Sequence, residues 1–289
     1  MLSAIYFFAF IFGIGVGSFL NVVSLRLRTS ESIVRGESKC LSCSARLKAI
    51  DLIPVVSFLM LRGRCRHCGS KFSWQYPIVE VLTGALFLLV AWRSGAAMFI
   101  ADNMNAGLGV TNSLFSLYDV LPSVAALFAA LTVMAVGVVL SIYDIRHKII
   151  PDVLNALLAV AGGIYALVVH DLSRLFSLEP SMTFSIAVLA AGFFWFLWAI
   201  SKGTWMGLGD AKLVFGISLF SGPLLTLVSL LLAFWIGAIW GIIFLLAGSY
   251  SRKTQIPFGP FLIAGTIIAF AFGYSLVEWY TTTIATLLT

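Results

Sequence analysis

Two aspartates and four cysteines are the residues of this sequence best suited to do chemistry. Asp144 lies in Ser141-Ile-Tyr-Asp-Ile-Arg-His-Lys-Ile-Ile-Pro-Asp152, at the end of an apolar run. Asp210 closes Met206-Gly-Leu-Gly-Asp210 and opens another such run. A carboxylate at the edge of a membrane span is unfavourable, and is a functional candidate by default. Asp144 would also oppose the dipole of the helix it ends. Its plain alternative is an ion pair with Arg146 or Lys148. For Asp210 the plain alternative is an N-cap, a position that Asp favours. Gly207 and Gly209 would let one backbone pass close to another beside that carboxylate. Two carboxyls that approach one another share a proton, so one acts as base toward water and the other as acid toward a carbonyl. That is aspartyl-protease chemistry, and it needs a watered membrane face.

The cysteines form two knuckles, Cys40-Leu-Ser-Cys43 and Cys65-Arg-His-Cys68, with 21 residues between them. That spacing matches a structural zinc site. Each knuckle aims two thiolates at one point, and four complete a tetrahedron around Zn²⁺. Disulfides, free thiols and a redox pair are the alternatives; a reducing compartment disfavours the first. Lys39, Arg64 and Arg66 would offset the thiolate charge. His67 is a bystander, because four sulfurs already fill the site. A closed site folds its loop, here roughly 50 residues, and catalyses nothing.

The elements that position these residues follow from composition. Apolar residues make up 61% of the chain and charged residues 10%, against about 45–50% and about 25% in soluble domains. Such a chain cannot present a polar surface to water, and it is neither disordered nor a secreted disulfide scaffold. At roughly 20 residues per crossing, spans are predicted at about 2–25, 77–93, 120–143, 152–170, 182–200, 211–221, 223–247 and 258–280. The 211–221 segment is short: either it is a tilted half-span, or Ser221-Gly222-Pro223 is a tight turn at the far surface. Eight spans leave both termini outside and 26–75, 144–151, 201–210 and 248–257 inside.

Charge supports that count. Ten of the eighteen Lys and Arg residues fall between Arg26 and Lys71. With Arg146, Lys148, Lys202, Lys212, Arg252 and Lys253, sixteen lie inside, and only Arg93 and Arg174 outside. Cytoplasmic loops carry such an excess. A seven-span alternative, with 211–247 as one bent helix, puts the ends of the last span on the wrong sides. The basic loop faces anionic lipid headgroups and is not a nucleic-acid patch. The first cation, Arg26, follows the first span, which is the wrong polarity for a signal peptide. Gly13, Gly15, Gly17 and Ser18 give that helix a narrow packing face.

The expected fold is therefore an all-α polytopic membrane protein of about eight transmembrane helices, with a small cytosolic zinc-knuckle insertion after the first. Its domains would be a first helix (1–25), a zinc-binding loop (26–75) and a membrane core (76–289). The stretch 94–120 reads as a loosely ordered outer loop. Glu80 and Glu278 are the other boundary carboxylates, Glu80 within reach of Lys71 or the loop. His147 and His170 fall at span ends. Asp152 after Pro151 is an ordinary helix start.

Taken together, these motifs resemble the prepilin peptidase family, membrane aspartyl proteases of the GxGD type. The resemblance runs in order along most of the chain: Gly17-Ser-Phe-Leu-Asn-Val-Val23 with Arg26; the four cysteines, with Ile53-Pro54 and Leu61-Arg-Gly-Arg-Cys65 between them; Tyr76-Pro-Ile-Val-Glu80; Asp144 with Ile149-Ile-Pro-Asp152; Gly207-Leu-Gly-Asp210-Ala-Lys212; and Ile256-Pro-Phe-Gly-Pro-Phe261. Two features depart from the pattern. Arg146 stands where many members carry a second acid, and the 94–120 loop is long. The resemblance implies catalysis by Asp144 and Asp210, structural Zn²⁺ on Cys40, Cys43, Cys65 and Cys68, and a prepilin or type II secretion pseudopilin as substrate. It implies a bacterial inner membrane location with the site facing the cytosol. Zinc-bearing members often also N-methylate the new amino terminus with S-adenosylmethionine. No residue here is assigned to that donor, and nothing in the residues fixes an oligomeric state.

Two readings from other classes remain open at this point. Paired aspartates could serve as the proton relay of an ion-coupled transporter, with mid-bilayer acids and two similar halves. Alternatively, the knuckles could belong to a non-enzymatic pilus assembly factor that tolerates loss of both aspartates.

Overall fold

The computed structural model describes residues 2–27, 29, 32–33, 35–94, 117–169, 178–247 and 256–288. Most of the expected 94–120 loop lies outside them, as do His170, Arg174, Arg252 and Lys253. Among the described residues the chain is all-helical, as expected, and its only β pairings are the isolated bridges Lys39–Arg46 and Arg64–Lys71. Among the described residues seven helices are long and apolar enough to cross a membrane. The chain divides into two compact units, Met1–Thr111 and Asn112–Thr289.

In the first unit α1 (Leu2–Arg26) pairs with α3 (Gln75–Arg93), and the knuckle loop between them carries a 3-10 turn (Ala49–Leu52) and the short α2 (Val56–Met60). Gly13 and Gly17 of α1 serve packing, whereas Gly15 is exposed and meets nothing within 4 Å. A Cβ on Gly13 would lie 2.8 Å from the Gly84 Cα, and one on Gly17 2.8 Å from the Glu80 Cα. The two helices thus approach backbone to backbone, as small residues permit in lipid. Asn21, fully buried, ties them further. Its Nδ2 donates to the carbonyls of Gly17 (3.3 Å) and Tyr76 (3.2 Å), and its Oδ1 accepts from Gln75 Nε2 (3.3 Å). The Glu80 carboxylate, buried within α3, accepts the Val55 N–H at 2.7 Å. Its partner is the loop, not Lys71. Val55 sits at φ 60°, ψ −51°, where a β-branched residue is an outlier, so this bond holds a strained turn against the membrane helix.

The second unit comprises α4 (Leu117–His147), α5 (Asp152–Val169), α6 (Leu178–Ser201), α7 (Leu208–Leu246) and α8 (Gly259–Leu288). At 39 residues, an unbroken α7 would run about 58 Å, nearly twice the roughly 30 Å hydrocarbon core. It is broken at Gly222 (φ 75°, ψ 177°), with Pro223 next. The Thr226 hydroxyl donates to Gly222 O at 2.7 Å and reaches Ser218 O at 3.4 Å. In a continuous helix, residues eight apart are separated by about 12 Å, so the chain reverses here.

Neighbours confirm the reversal. On the first limb, 208–221, Gly216 packs on Leu158 and Ala159 of α5. On the second, 223–246, Leu225 meets Gly273, Ala233 meets Gly265 and Gly237 meets Phe261, an antiparallel match to α8. The turn is therefore the tight one expected at Ser221-Gly222-Pro223, and it needs a residue that takes positive φ without strain. α7 is a helical hairpin, so among the described residues the seven apolar helical elements hold eight helical limbs, and 211–247 is not one bent helix.

Candidate active site and metal centre

Three chain ends of the second unit converge on the two aspartates. Asp144 lies in the last turn of α4 and is 5% exposed. Its Oδ2 accepts the Gly259 N–H, at the start of α8, at 3.0 Å. Arg146 and Lys148 are exposed, and the carboxyl is held by this backbone donor rather than by either cation. Asp210 is 7% exposed. It is not the N-cap: Gly207 takes that place, and Asp210, at N3, reaches back so that its Oδ2 accepts the Gly207 N–H at 3.1 Å. The helix starts earlier than the hydropathy suggested because Leu208 and Gly209 already belong to its first turn.

Ile150 closes the arrangement. A Cβ on Gly209 would lie 2.8 Å from the Ile150 Cβ, and one on Gly259 3.4 Å from its Cδ1. One side chain therefore packs against the glycines beside both acids. Each carboxyl spends one oxygen on a glycine N–H and keeps the other. Beneath Gly259, Phe258 stacks on Phe194 (centroids 6.2 Å) and meets Phe234 (5.2 Å), which fixes the segment whose N–H holds Asp144.

In the first unit the four cysteine sulfurs lie within 4.8 Å of one another. Zn–S bonds of about 2.3 Å require sulfurs about 3.8 Å apart in a tetrahedron; Cys40 and Cys68 are 3.9 Å apart. The two knuckles share one geometry. The Cys40 N–H donates to Ala45 O (2.9 Å) and the Cys65 N–H to Ser70 O (2.8 Å), with Ser44 and Gly69 at positive φ. Without metal the thiols diverge. The Cys43 N–H, the Ser70 hydroxyl and the Ser42 N–H pull Cys40 down to about 6. For Cys43, burial and the three neighbouring sulfurs outweigh the Ala45 N–H and push it up to about 11. His67 is exposed and outside the cluster. Arg66 is engaged by Asp51 at 2.8 Å rather than reserved for the thiolates. Burial opposes charge on Asp51, but the Arg66 guanidinium and the Lys48 N–H outweigh it and hold the carboxyl below the usual range.

Residues 11–94 match the family model described as bacterial peptidase A24 N-terminal domain, and residues 131–242 match the type IV leader peptidase family. A protein of Legionella pneumophila named prepilin leader peptidase/N-methyltransferase is 30% identical over 301 residues, covering 93% of this chain and 92% of its own. The chain belongs to the type IV leader peptidase family. Proteins of the same name in Bacillus subtilis (29% over 273 residues; 94% and 96% covered) and Aeromonas salmonicida (29% over 302; 95% and 93%) are similarly close. No solved structure matches significantly.

All four cysteines fall within the N-terminal match and both aspartates within the leader peptidase match. Gly259 lies beyond either. Its Pro-Phe-Gly-Pro motif carries no chemistry of its own in the sequence. Asn155, buried and donating Nδ2 to Gly209 O at 3.3 Å, went unnoticed; its only signal was a polar residue three after Asp152 in an apolar helix. A Cβ on Gly259 would lie 2.7 Å from Asp144 Oδ2. Gly259→Ala is therefore expected to displace that carboxyl and slow cleavage on the order of 100-fold, the scale of a 1 Å misplacement, while the protein still inserts. Initial rates on a synthetic prepilin check this; a rate near wild type would show that Asp144 does not need its present position.

Proposed function

We propose that this membrane protein is an aspartic endopeptidase that removes the leader peptide of type IV prepilins or type II secretion pseudopilins. The observation that carries the reading is the pair of buried carboxyls, each held through one oxygen by a glycine N–H, with Ile150 packed against the glycines beside both. Asp144 and Asp210 are the proposed catalytic residues. One carboxylate takes a proton from water as its oxygen attacks the scissile carbonyl. The other, protonated, donates to the carbonyl oxygen and stabilises the tetrahedral intermediate. Collapse breaks the C–N bond: the departing amine takes the proton that the first carboxyl gained from water, and the second carboxylate recovers its own from the hydroxyl that becomes the carbonyl. The excess of basic residues on one side of the predicted spans supports an inner-membrane protein whose site faces the cytosol.

Cys40, Cys43, Cys65 and Cys68 fit a structural zinc ion, which would clasp the two knuckles and leave no open position for catalysis. Methylation of the new amino terminus from S-adenosylmethionine is proposed from the names of the relatives. The described residues contain no glycine-rich strand–turn–helix, so no donor-binding residues are named. The transporter reading is not favoured, because both acids lie at helix ends and the two units are unlike. The test is incubation of the purified protein in lipid with a synthetic prepilin, followed by mass analysis of the product. Cleavage at the leader junction is expected, and a methyl group on the new terminus when the donor is added. Intact substrate would overturn the reading.

A further inference from the structure

The knuckle loop of the first unit exposes two kinds of surface. Around the cysteines, Leu41 apart, the exposed residues are polar, Ser42, Ser44, Arg46 and His67 among them. Between the knuckles the balance inverts. Over 49–60 the 3-10 turn and α2 expose Ile50, Leu52, Ile53, Val56, Leu59 and Met60, the last two at 63% and 69%. An exposed apolar patch of this kind marks a surface that meets a membrane or a partner. Asp51 is the one acid of the run, and Arg66 engages it at 2.8 Å. Cations bracket the run, Lys48 before it and Arg62 and Arg64 after it, all exposed.

We infer that this stretch lies in the headgroup layer of the bilayer, with its apolar side chains among the first acyl carbons and its bracketing cations at lipid phosphates. Two contacts set its depth. The Val55 N–H, just before α2, donates to the Glu80 carboxylate at 2.7 Å. Glu80 lies about 8 Å along α3 from Gln75 at 1.5 Å per residue, and its side chain leans back toward the start of that helix. Val55 is therefore held level with the first turn of a membrane helix. Phe58, within α2, packs on Trp74 with ring centroids 4.9 Å apart. Trp74 is itself exposed at the mouth of α3, the level at which membrane proteins carry their aromatic belts. Apolar atoms exposed at that level meet lipid. The bracketing cations complement an anionic lipid surface, and an apolar face flanked by Lys and Arg is the composition of a segment that lies in the interface plane. A soluble partner would leave unexplained why the apolar exposure is concentrated on the part of the loop bonded to the end of a span. The inference needs only that α1 and α3 cross a membrane, and is independent of the peptidase reading.

The test places a genetically encoded fluorescent amino acid at position 59 of the full-length protein, in nanodiscs of phosphatidylethanolamine and phosphatidylglycerol. Two quenchers compete for it, a nitroxide on the lipid acyl chains and iodide in the water. The nitroxide should quench the probe at position 59 several-fold more strongly than iodide does. The same probe at position 46, exposed on the first knuckle, should show the reverse order. Iodide reaching position 59 as readily as position 46 would mean that the stretch stands in water. Quenching of position 59 by neither agent would mean that protein covers it. Either result overturns the inference and leaves the peptidase reading as it was. Should the position 59 protein not be recovered, position 60, the more exposed of the two, takes its place with the same outcomes. Leu59→Glu with Met60→Glu, read by the probe at position 56, gives a second measure. The paired acids should lift the stretch and shift quenching at 56 from nitroxide toward iodide; unchanged quenching would overturn the inference.

Discussion

Asp144→Asn and Asp210→Asn are each expected to reduce prepilin cleavage on the order of 10⁴-fold or more, the usual scale for removing one member of a catalytic unit, or about 5 kcal/mol of transition-state stabilisation. Asparagine is the informative replacement. Its carbonyl oxygen can still accept the glycine N–H that each carboxyl now binds at 3.0 and 3.1 Å, so the local fold is retained while the proton-transfer group is lost. Alanine would leave those donors unpaired, at about 1–3 kcal/mol each, and would mix instability with lost chemistry. The two variants should be non-additive, because neither carboxyl works without the other. Single-turnover rates with a synthetic prepilin, beside the thermal stability of each variant in detergent, give the answer. Near-normal cleavage in either variant would remove that residue from the mechanism.

The second large effect is expected at the knuckles. Metal analysis should find one zinc per chain, lost when any of Cys40, Cys43, Cys65 or Cys68 is replaced by Ser. Structural zinc in small modules contributes roughly 10–16 kcal/mol of apparent binding free energy near neutral pH, far more than a loop of this size can gain from its own core. Chelation should therefore make the 38–72 segment readily proteolysed while α1 and α3 stay protected. Because the ligands bind metal as thiolates, affinity should fall as the pH is lowered. A chain that holds no zinc, or whose loop resists protease equally with and without chelator, would contradict the assignment.

What could be read from the sequence was whatever local pattern carries. Runs of apolar residues placed the helices, the C-x-x-C spacing placed the metal ligands, and Ser221-Gly222-Pro223 with the charge distribution gave the eighth helical limb even though hydropathy and length count only seven helices. Pairings across long stretches of chain left no such trace. The bond from Gly259 to Asp144 spans 115 residues, and neither partner has a periodicity that names the other. Asp210 looks like an N-cap because an aspartate preceding an apolar run usually is one; only the extended ψ of Gly207, 152°, shows the helix starting three residues sooner. Asn155 leaves no mark and Asn21 stands in its motif without a role, because a single buried amide does not alter hydropathy, although each holds a backbone carbonyl of another helix.

The hairpin of α7 has a consequence for how the protein meets the surrounding lipid. Its outgoing limb, residues 208–221, is fourteen residues, about 21 Å long, while hydrocarbon is roughly 30 Å thick. The bend at Gly222 therefore ends short of a full crossing, and protein rather than lipid covers it: Ile217, Phe220, Gly222 and Leu225 are all buried. Acyl chains meet the longer helices around this limb, so a half-length helix that begins at Asp210 is held without any demand on the thickness of the host membrane.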